Sequence, residues 1–240
     1  MGILIVVEGI DGAGKTTQVQ LLGDGLRKAG EDPVLSKEPT NGHWGRKLRE
    51  SAQNGRLPLA EELDAFIRDR RDHAKNMILP ALAADQIVIL DRYFYSTIAY
   101  QSIRGADREE LRAMMQEFPR PDVVFLLDAD PWVTLARITN GRQEKPNEFE
   151  RHDDLLAVRE VFNWLADVDI AVCKIDAHQT IQNVHREIVS TLVDGALTKL
   201  RRKPYDCGDC WPALCTFGAT DTCRWLKIQS VLHASLRTIG

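Results

Sequence analysis

Glycines, a lysine and two threonines near the N-terminus follow a spacing that is suited to holding phosphate groups. The segment reads GIDGAGKTTQ and fits the pattern G-x-x-x-x-G-K-[ST] in full. Glycines let the backbone turn back and direct several N–H groups at one anion, and a helix N-terminus adds partial positive charge there. We therefore predict that this loop binds the phosphates of a nucleoside triphosphate. The residues expected to do so are Gly9, Gly12, Ala13, Gly14, Lys15, Thr16 and Thr17.

Two side chains of this loop have distinct expected tasks. Lys15 can reach the β- and γ-phosphates, and the Thr16 hydroxyl can bind Mg²⁺. A glycine-rich turn that holds no ligand is the alternative, and the position between an apolar run and a helical pattern argues against it. The loop alone does not separate a kinase from a GTPase or a motor protein.

A second pair of candidate residues, Asp91 and Arg92, ends the apolar run Ile87–Leu90. Ligands of open α/β sheets bind outside the carboxyl ends of the strands, so this pair is expected to face the phosphate loop. Arg92 would bind a phosphate, and Asp91 would assist Mg²⁺ through a water molecule. A local ion pair that caps the strand is the alternative that the residues leave open.

Apolar runs of strand length alternate with longer helical patterns along the chain. This alternation predicts an α/β fold of βαβ units, a three-layer sandwich with a parallel sheet between helices. The expected strands, rich in Val, Ile and Leu on both faces, are Ile3–Glu8, Pro33–Ser36, Gln86–Asp91, Val123–Asp128 and Ile170–Ile175. The expected helices are Lys15–Ala29, Gly45–Asn54, Ala60–Ala83, Arg108–Phe118, Pro131–Thr139, His152–Leu165, Ile181–Leu200 and, in the tail, Arg224–Leu236.

Length and charge narrow the class of protein. The 240 residues suit one α/β domain with a small appendage, and 44% of them are hydrophobic. A net charge of −4 argues against a general nucleic-acid binder. No apolar run approaches the roughly 18 residues that a membrane span needs, and the N-terminus has no signal-peptide pattern, so we expect a cytoplasmic protein. A base-reading N-K-x-D motif, which a GTPase needs, is missing after Asp128.

Five motifs together resemble the thymidylate (dTMP) kinase family, over about residues 3–200. They are EGIDGAGKTTQ (8–18), KEPT (37–40), FIRDR (66–70), DRYFYSTIAYQ (91–101) and RPDVVFLLD (120–128). The resemblance implies a P-loop fold with a five-stranded parallel sheet. It also implies transfer of the ATP γ-phosphate to dTMP with Mg²⁺, and a homodimer, which nothing in the residues themselves derives.

The resemblance assigns roles to individual residues. It gives catalytic roles to Lys15, Arg92, Asp11 and Arg142. Asp11 resembles the carboxylate near the acceptor sugar and phosphate, and Arg92 the arginine of the acceptor phosphate. The remaining substrate-binding residues that it implies are Pro39 in the pocket wall, Phe66 stacked on thymine, Arg70 at the thymine edge, Ser96 and Thr97 at base-reading positions, Tyr100 under the sugar and Gln101 as a polar contact.

Without the resemblance, simpler interpretations of these side chains stay open. Phe66 lies in a helical pattern, where a lone Phe is commonly a core residue. Tyr100 could be a buried tyrosine with one hydrogen bond. Arg70 lies among Arg68, Asp69, Arg71 and Asp72 and could belong to a solvated charged face.

The segment GRQEKPNEFE, residues 141–150, matches the lid of the family, which is expected at about residues 141–151. The candidate lid arginines are Arg137, Arg142 and Arg151. Of these, Arg137 is expected to contact ATP. Many family members have Asp-Arg-Phe-Glu where this chain has Asn-Glu-Phe-Glu, so the motif arginine is missing. Lys37 replaces a common arginine and loses its planar fork. Neither departure changes the expected reaction class, and both leave the rate and the lid assignment open.

Residues 201–240 form a cysteine-rich extension beyond the resemblance. Cys207, Cys210, Cys215 and Cys223 could form a tetrahedral zinc site, although the later spacings are not a second CxxC pair. Free thiols, or a docking segment that uses Trp211, Phe217 and Trp225, are the alternatives. The sequence assigns the extension no function.

We therefore expect an ATP:dTMP phosphotransferase whose partners are small-molecule substrates, with no membrane or nucleic acid. One rival is a kinase for dUMP or a modified pyrimidine deoxynucleotide. Another is a nucleotide-binding regulatory module that has lost turnover, against which the intact Lys15, Thr16, Asp91 and Arg92 argue.

Overall fold

A parallel sheet of five strands forms the centre of the molecule. The computed structural model describes residues 2–141, 152–196, 228–232 and 234. The strand order is β2-β3-β1-β4-β5, with β1 in the middle. The strands are β1 Ile3–Glu8, β2 Val34–Lys37, β3 Ile87–Asp91, β4 Val123–Asp128 and β5 Val172–Asp176. The predicted fold class is confirmed, and each predicted strand begins and ends within two residues of an observed one.

The burial of the strands explains why they read as unbroken apolar runs. Every residue of β1 and β3 is buried, because helices cover both faces of the inner strands. The edge strands β2 and β5 are only partly buried, and they carry the lysines Lys37 and Lys174. Helix α1, Lys15–Lys28, packs against β1, β2 and β3, whereas α8, His152–Val168, packs against β4 and β5.

Seven further α-helices lie within the described residues of the range 2–196. They are α2 His43–Asn54, α3 Leu59–His73, α4 Leu79–Ala83, α5 Phe94–Ser102, α6 Arg108–Met114, α7 Pro131–Gly141 and α9 Ile181–Thr191. The predicted helix Ala60–Ala83 contains a π-helical segment, Ala74–Ile78, between α3 and α4. Pro80 explains the wider turn, because it has no N–H to donate to the preceding turn of a regular helix.

Helix α5, Phe94–Ser102, was not among the predicted helices. Its residues are aromatic or β-branched in large part, and all but Ser96 and Ser102 are buried. A helix that is buried on nearly every side has no apolar stripe, so the period that predicts an amphipathic helix is absent. This helix carries Tyr100 and faces the candidate site, so the omission concerns function as well as fold.

Residues 228–232 of the cysteine-rich extension are helical, within the predicted helix Arg224–Leu236. Ile228 and Leu232 are fully buried members of the hydrophobic core. The Gln229 Nε2 donates a hydrogen bond to the Val193 carbonyl at 3.1 Å, just after α9. Part of the extension is therefore packed on the α/β domain. Among the described residues, no helix is both long and apolar enough to cross a membrane.

Candidate active site

One large cavity opens at the carboxyl ends of β1, β2 and β3. Its volume is about 900 Å³, and it extends from the phosphate loop to helices α2, α3 and α5 on one side and to α7 and α9 on the other. The position agrees with the rule that ligands of open α/β sheets bind at this edge. A cavity of this extent has room for two ligands side by side, one on each side of the phosphate loop.

The phosphate loop has the backbone conformation that its glycines predict. Gly12 and Gly14 have φ angles of 81° and 98°, and residues that carry a Cβ atom adopt such angles only with backbone strain. A Cβ on Gly12 would also lie 2.5 Å from the Thr134 carbonyl oxygen, so no larger residue fits there. Helix α1 begins at Lys15, directly after this turn, and its N-terminus faces the cavity. The loop is therefore shaped to hold an anion.

Lys15 is a buried cation in the wall of the cavity. Its Nζ donates a hydrogen bond to the Ile10 carbonyl at 2.8 Å, which places it inside the loop. Burial, together with repulsion from Arg92, lowers the pKa of Lys15 to about 8, although nearby carboxylates oppose the change. A bound polyphosphate would supply negative charge that stabilises the protonated amine.

Thr16 and Asp91 form a pair of hard oxygen ligands at the same edge. The Thr16 hydroxyl donates to Asp91 Oδ2, and both residues line the cavity. Mg²⁺ prefers a few protein oxygens, with waters and phosphate oxygens completing its octahedron. A hydroxyl next to a carboxylate, beside a phosphate-binding loop, fits that requirement.

Arg92 lies at the centre of the polar contacts. Its φ angle is 71°, a left-handed conformation that a non-glycine residue adopts only when its surroundings impose it. The Arg92 Nη2 contacts Asp11 Oδ1 at 2.7 Å, and Nη1 donates to Ser96 Oγ at 2.8 Å. The guanidinium also lies over the Tyr100 ring, 5.4 Å from its centre. The alternative of a local pair with Asp91 is therefore wrong, because Arg92 pairs with the phosphate loop instead.

Charge and burial compete at Asp11. Burial opposes ionisation, but the positive charges of Arg92 and Lys15 outweigh it and lower the pKa of Asp11 to about 2. The Tyr100 hydroxyl adds a hydrogen bond to Asp11 Oδ2 at 3.3 Å. Asp11 is therefore an anion at neutral pH. Desolvation opposes the charged form of Arg92 as well, yet Asp11 and the other nearby negative groups raise the pKa of Arg92 well above its usual value.

Glu8 supports this cluster through buried hydrogen bonds, and it was not predicted as a site residue. Its side chain is fully buried at the end of β1. Glu8 Oε1 accepts a hydrogen bond from the Tyr93 N–H at 2.7 Å, and Oε2 accepts one from Ser96 Oγ at 2.7 Å. Burial raises the pKa of Glu8, although Arg92 and the hydrogen bonds oppose that change. A glutamate that closes a buried apolar strand is the sequence feature that could have revealed it.

On the side of the cavity formed by α2, α3 and α5, the wall contains Phe66 and Arg70 of α3. Phe66 is partly buried and lines the cavity, so it is not a core residue. Arg70 is 1% exposed, whereas Arg68 pairs with Asp64 at the surface. The interpretation of Arg70 as part of a solvated charged face is therefore wrong. Thr97, on α5, accepts a hydrogen bond from Arg70 Nη2 at 2.9 Å.

Pro39 also lines the cavity wall, after a cis peptide bond with Glu38. The Pro39 carbonyl accepts a hydrogen bond from Arg49 Nη1 at 2.9 Å. Arg49, on α2, also lines the cavity and was not predicted. It lies in a polar amphipathic helix, where no single charged residue stands out in the sequence.

Arg137 lies on the other side of the phosphate loop. Its Nη2 donates to the Ala177 carbonyl at 2.9 Å, which joins α7 to the loop after β5. This part of the cavity wall continues into the start of α9 with Thr180, Ile181 and Val184. Those three residues were not predicted, because an apolar helix start resembles any core contact in sequence.

Sixteen of the predicted residues thus line one cavity, and a few do not. Gly9 accepts a hydrogen bond from Arg92 without being part of the wall. Gln101 is fully buried behind the wall, where its Oε1 accepts from Arg104 Nη1 at 3.4 Å. The predicted residues that lie outside the described part of the chain are Arg142, Arg151, Cys207, Cys210, Cys215 and Cys223. The predicted lid and zinc site therefore stay predictions.

One cavity of this parallel α/β fold combines three features. They are a phosphate loop, an Asp-Arg pair at a strand end, and a second compartment with an aromatic side chain and a buried arginine. This combination defines a P-loop kinase. A family model described as thymidylate kinase matches residues 7–188. The chain therefore belongs to the thymidylate kinase family, and the resemblance found in its motifs is confirmed.

Individual relatives agree with the family model. Proteins named thymidylate kinase from Xanthomonas campestris pv. campestris (strain B100) and Xanthomonas oryzae pv. oryzae (strain PXO99A) are 46% and 48% identical to this chain over 195 residues. Each match covers 80% of this chain and 86% of the relative. A thymidylate kinase from Xylella fastidiosa (strain M12) is 47% identical over 161 residues, which cover 67% of this chain and 74% of the relative.

Proposed function

We propose that this chain transfers the γ-phosphoryl group of ATP to dTMP and yields ADP and dTDP, a step in dTTP synthesis. An oxygen of the dTMP phosphate attacks the γ-phosphorus, and the bond from that phosphorus to the bridging oxygen of ADP breaks. The observation that carries the proposal is the contact between Asp11 and Arg92, which joins the phosphate loop to the second compartment of the same cavity. Two phosphorylated ligands can meet at that contact.

The donor side of the cavity would bind ATP. Backbone N–H groups of the phosphate loop would hold its phosphates, and Lys15 would contact the β- and γ-oxygens. Thr16 and Asp91 would hold Mg²⁺, the latter through water, and the ion would neutralise charge that develops on the phosphates. Arg137 and the start of α9 would contact the nucleoside, since they line this end of the cavity.

The acceptor side would bind the phosphate and the sugar of dTMP. Arg92 would bind the acceptor phosphate in a fixed orientation, because Asp11 and Ser96 hold its guanidinium. Asp11 would keep that arginine in place and contact the sugar. Tyr100 would lie under the sugar, where its ring leaves no space for a 2′-hydroxyl.

The base would lie between α3 and α5. Phe66 would stack on the thymine ring, a contact worth about 1–3 kcal/mol per base in single-stranded nucleic-acid sites. Arg70 would donate to a carbonyl oxygen at the base edge, with Thr97 beside it. Pro39 would form part of the pocket wall. Gln101 would need to turn toward the base, because it lies behind the wall in this structure.

The family makes this reaction the favoured one among those that the residues left open. The test is ADP production from ATP and Mg²⁺ with dTMP, dUMP, UMP, dCMP and dGMP offered in turn. A clear preference for dTMP supports the proposal. A preference for another monophosphate keeps the kinase and reassigns the pocket, and no acceptor-dependent turnover leaves the regulatory module as the better hypothesis.

Several parts of the proposal concern residues or properties beyond the cavity. We assign the lid to residues 141–151, with Arg142 at the transferring phosphate, and test it with Arg142→Ala. Zinc bound by Cys207, Cys210, Cys215 and Cys223 is tested by metal analysis of the purified protein. The homodimer is tested by analytical ultracentrifugation and the cytoplasmic location by cell fractionation. The division into a domain at 1–200 and an extension at 201–240 is tested by the unfolding of the Leu232→Ala variant.

A further inference from the structure

The guanidinium of Arg70 is held from several directions. Its Nε and Nη2 contact Glu38 Oε2 at 2.8 and 2.7 Å, and Nη1 donates to the Met115 sulfur at 3.3 Å. Its central carbon lies 5.4 Å from the ring centres of both Tyr93 and Phe118. Arg70 is 1% exposed and still lines the cavity. Small changes in the position of these partners would therefore move the donor that faces the ligand.

Glu38 forms an ion pair with Arg70, and a histidine in turn contacts Glu38. Its second oxygen, Oε1, lies 2.9 Å from His73 Nδ1. On the far side of the ring, His73 Nε2 lies 2.9 Å from Ser36 Oγ, on β2. All three contacts are formed by residues that are buried or partly buried. These contacts form a hydrogen-bond network of Ser36, His73, Glu38 and Arg70 that runs from the sheet to the cavity. We call this network the Arg70 support.

The chemistry of the groups fixes who donates in the Arg70 support. An ionised carboxylate only accepts hydrogen bonds, so His73 Nδ1 carries a proton and donates it to Glu38. Each oxygen of Glu38 then has its own donor, which fixes the plane of the carboxylate. Without His73, one oxygen of a buried carboxylate would lack this donor, which is unfavourable for a buried acceptor. A rotation of the carboxylate toward another donor would satisfy that oxygen and would shift the two Arg70 nitrogens that contact Glu38 Oε2.

We infer that His73 is a positioning residue for base recognition, which acts through Glu38 on Arg70. The inference rests on the proposed function, since it takes the ligand of Arg70 to be the base of the acceptor. A guanidinium has donors and no acceptor, so a fixed Arg70 selects a base with a carbonyl oxygen at its edge over one with an amino group. The position of Arg70 therefore sets both the affinity for dTMP and its discrimination from dCMP.

Two substitutions of similar size separate this role from simple packing. In His73→Asn the amide nitrogen reaches about where Nδ1 lies, so the donor to Glu38 is kept and the contact with Ser36 is lost. In His73→Gln the longer side chain places its amide nitrogen about where Nε2 lies, so the donor to Glu38 is lost. Asp72→Asn, at an exposed position on the same helix, is the control.

Steady-state kinetics and binding are measured for all variants. We expect His73→Gln to raise the KM for dTMP about tenfold, the order expected for a lost hydrogen bond to a charged group, and to narrow the preference for dTMP over dCMP. His73→Asn and Asp72→Asn should stay within about twofold of wild type, with the KM for ATP unchanged throughout. Titration calorimetry with dTMP gives the same comparison as Kd, independent of turnover.

Other results would overturn the inference. If His73→Gln leaves the KM and Kd for dTMP unchanged, Arg70 does not depend on His73. If the Asn and Gln variants weaken dTMP binding equally and lose thermal stability equally, His73 has a packing role only. If wild-type protein binds dTMP but does not phosphorylate it, the proposed reaction fails while the binding comparison still decides the role of His73. If wild-type protein does not bind dTMP at all, both proposals fail.

Discussion

The Arg92 guanidinium lies 2.7 Å from the Asp11 carboxylate, and this ion pair joins the phosphate loop to the end of β3. Both partners line the cavity, and both side chains are shielded in large part from solvent. The pair faces the side of the cavity that contains Tyr100, and Lys15 lies in the adjoining loop. The two halves of the cavity therefore share one set of charges, and a ligand in either half changes the environment of the other.

Replacement of Arg92 tests the acceptor half. Arg92→Ala should lower kcat/KM for dTMP by about 100-fold or more, because it removes a preorganised donor to the acceptor phosphate. The Kd for ATP, measured by calorimetry without dTMP, should change by less than about threefold. Arg92→Lys keeps the positive charge but loses the planar guanidinium fork. Its kcat/KM for dTMP should therefore lie between the values of wild type and Arg92→Ala. An alanine variant within a few-fold of wild type would show that the phosphate assignment is wrong.

Tyr100 tests the choice of sugar. Tyr100→Ala removes the ring that packs beside Arg92, and we expect the preference for dTMP over its ribose counterpart to fall by about tenfold, the order of a contact worth 1–2 kcal/mol. Tyr100→Phe keeps the ring and loses the hydrogen bond to Asp11. The phenylalanine variant should therefore keep the deoxy preference. An unchanged ratio in Tyr100→Ala would make Tyr100 a core residue without a role in selection.

The sequence predicted those parts of the site that depend on local chain properties. A phosphate loop is defined by consecutive residues, and Asp91-Arg92 could be placed because strand ends meet at one edge of a parallel sheet. Helix α5 could not be predicted from periodicity, because it is buried on nearly all sides. Tyr100, which lies on this helix, was predicted as a site residue only through the family resemblance.

Contacts between distant residues were beyond sequence reasoning. Glu8 bonds to Tyr93 and Ser96, 85 and 88 positions away, and nothing in the segment around it indicates these partners. Glu38, directly after β2, and His73, at the end of α3, are 35 positions apart in the sequence and form a hydrogen bond. The charge run around Arg70 suggested a solvated face, since spacing alone does not show that one arginine of the run turns inward.

Thr16 and Asp91 can be tested through the metal requirement. Thr16→Ala should raise the Mg²⁺ concentration for half-maximal activity by about tenfold, because one of few protein oxygens for the ion is lost. Thr16→Ser keeps the hydroxyl and should behave as wild type. The measurement is ADP formation at fixed free ATP and increasing Mg²⁺. Equal Mg²⁺ requirements in the alanine and serine variants would remove Thr16 from the metal site.

Leu232 tests whether the extension belongs to the folded domain. It is fully buried, and its Cδ2 lies against Gly25 on α1. Truncating a buried leucine commonly costs about 2–5 kcal/mol, so Leu232→Ala should lower the free energy of unfolding by that order. Ser230→Ala, at an exposed position of the same helix, should change it by less than about 0.5 kcal/mol. A wild-type unfolding curve for Leu232→Ala would show that residues 201–240 are separate from the domain.

His185 should make the stability depend on pH in the mildly acidic range. Burial lowers its pKa below the ordinary value of 6.5, and its Nδ1 has no hydrogen-bond partner among the described residues. As the pH falls, the unfolded chain therefore takes up a proton at this position before the folded chain does. The stability contribution is fully present above about pH 6.5 and is lost as the pH falls toward the lower pKa of the folded state.

His185→Gln removes this proton uptake. In urea denaturation at about pH 8 and about pH 5.5, the variant should lose less free energy of unfolding between the two conditions than wild type does. His43→Gln is the matched control, because His43 is exposed on α2 and its replacement should leave the pH dependence unchanged. An equal loss in His185→Gln and wild type would mean that other groups cause the acid sensitivity, and that His185 is not held neutral by burial.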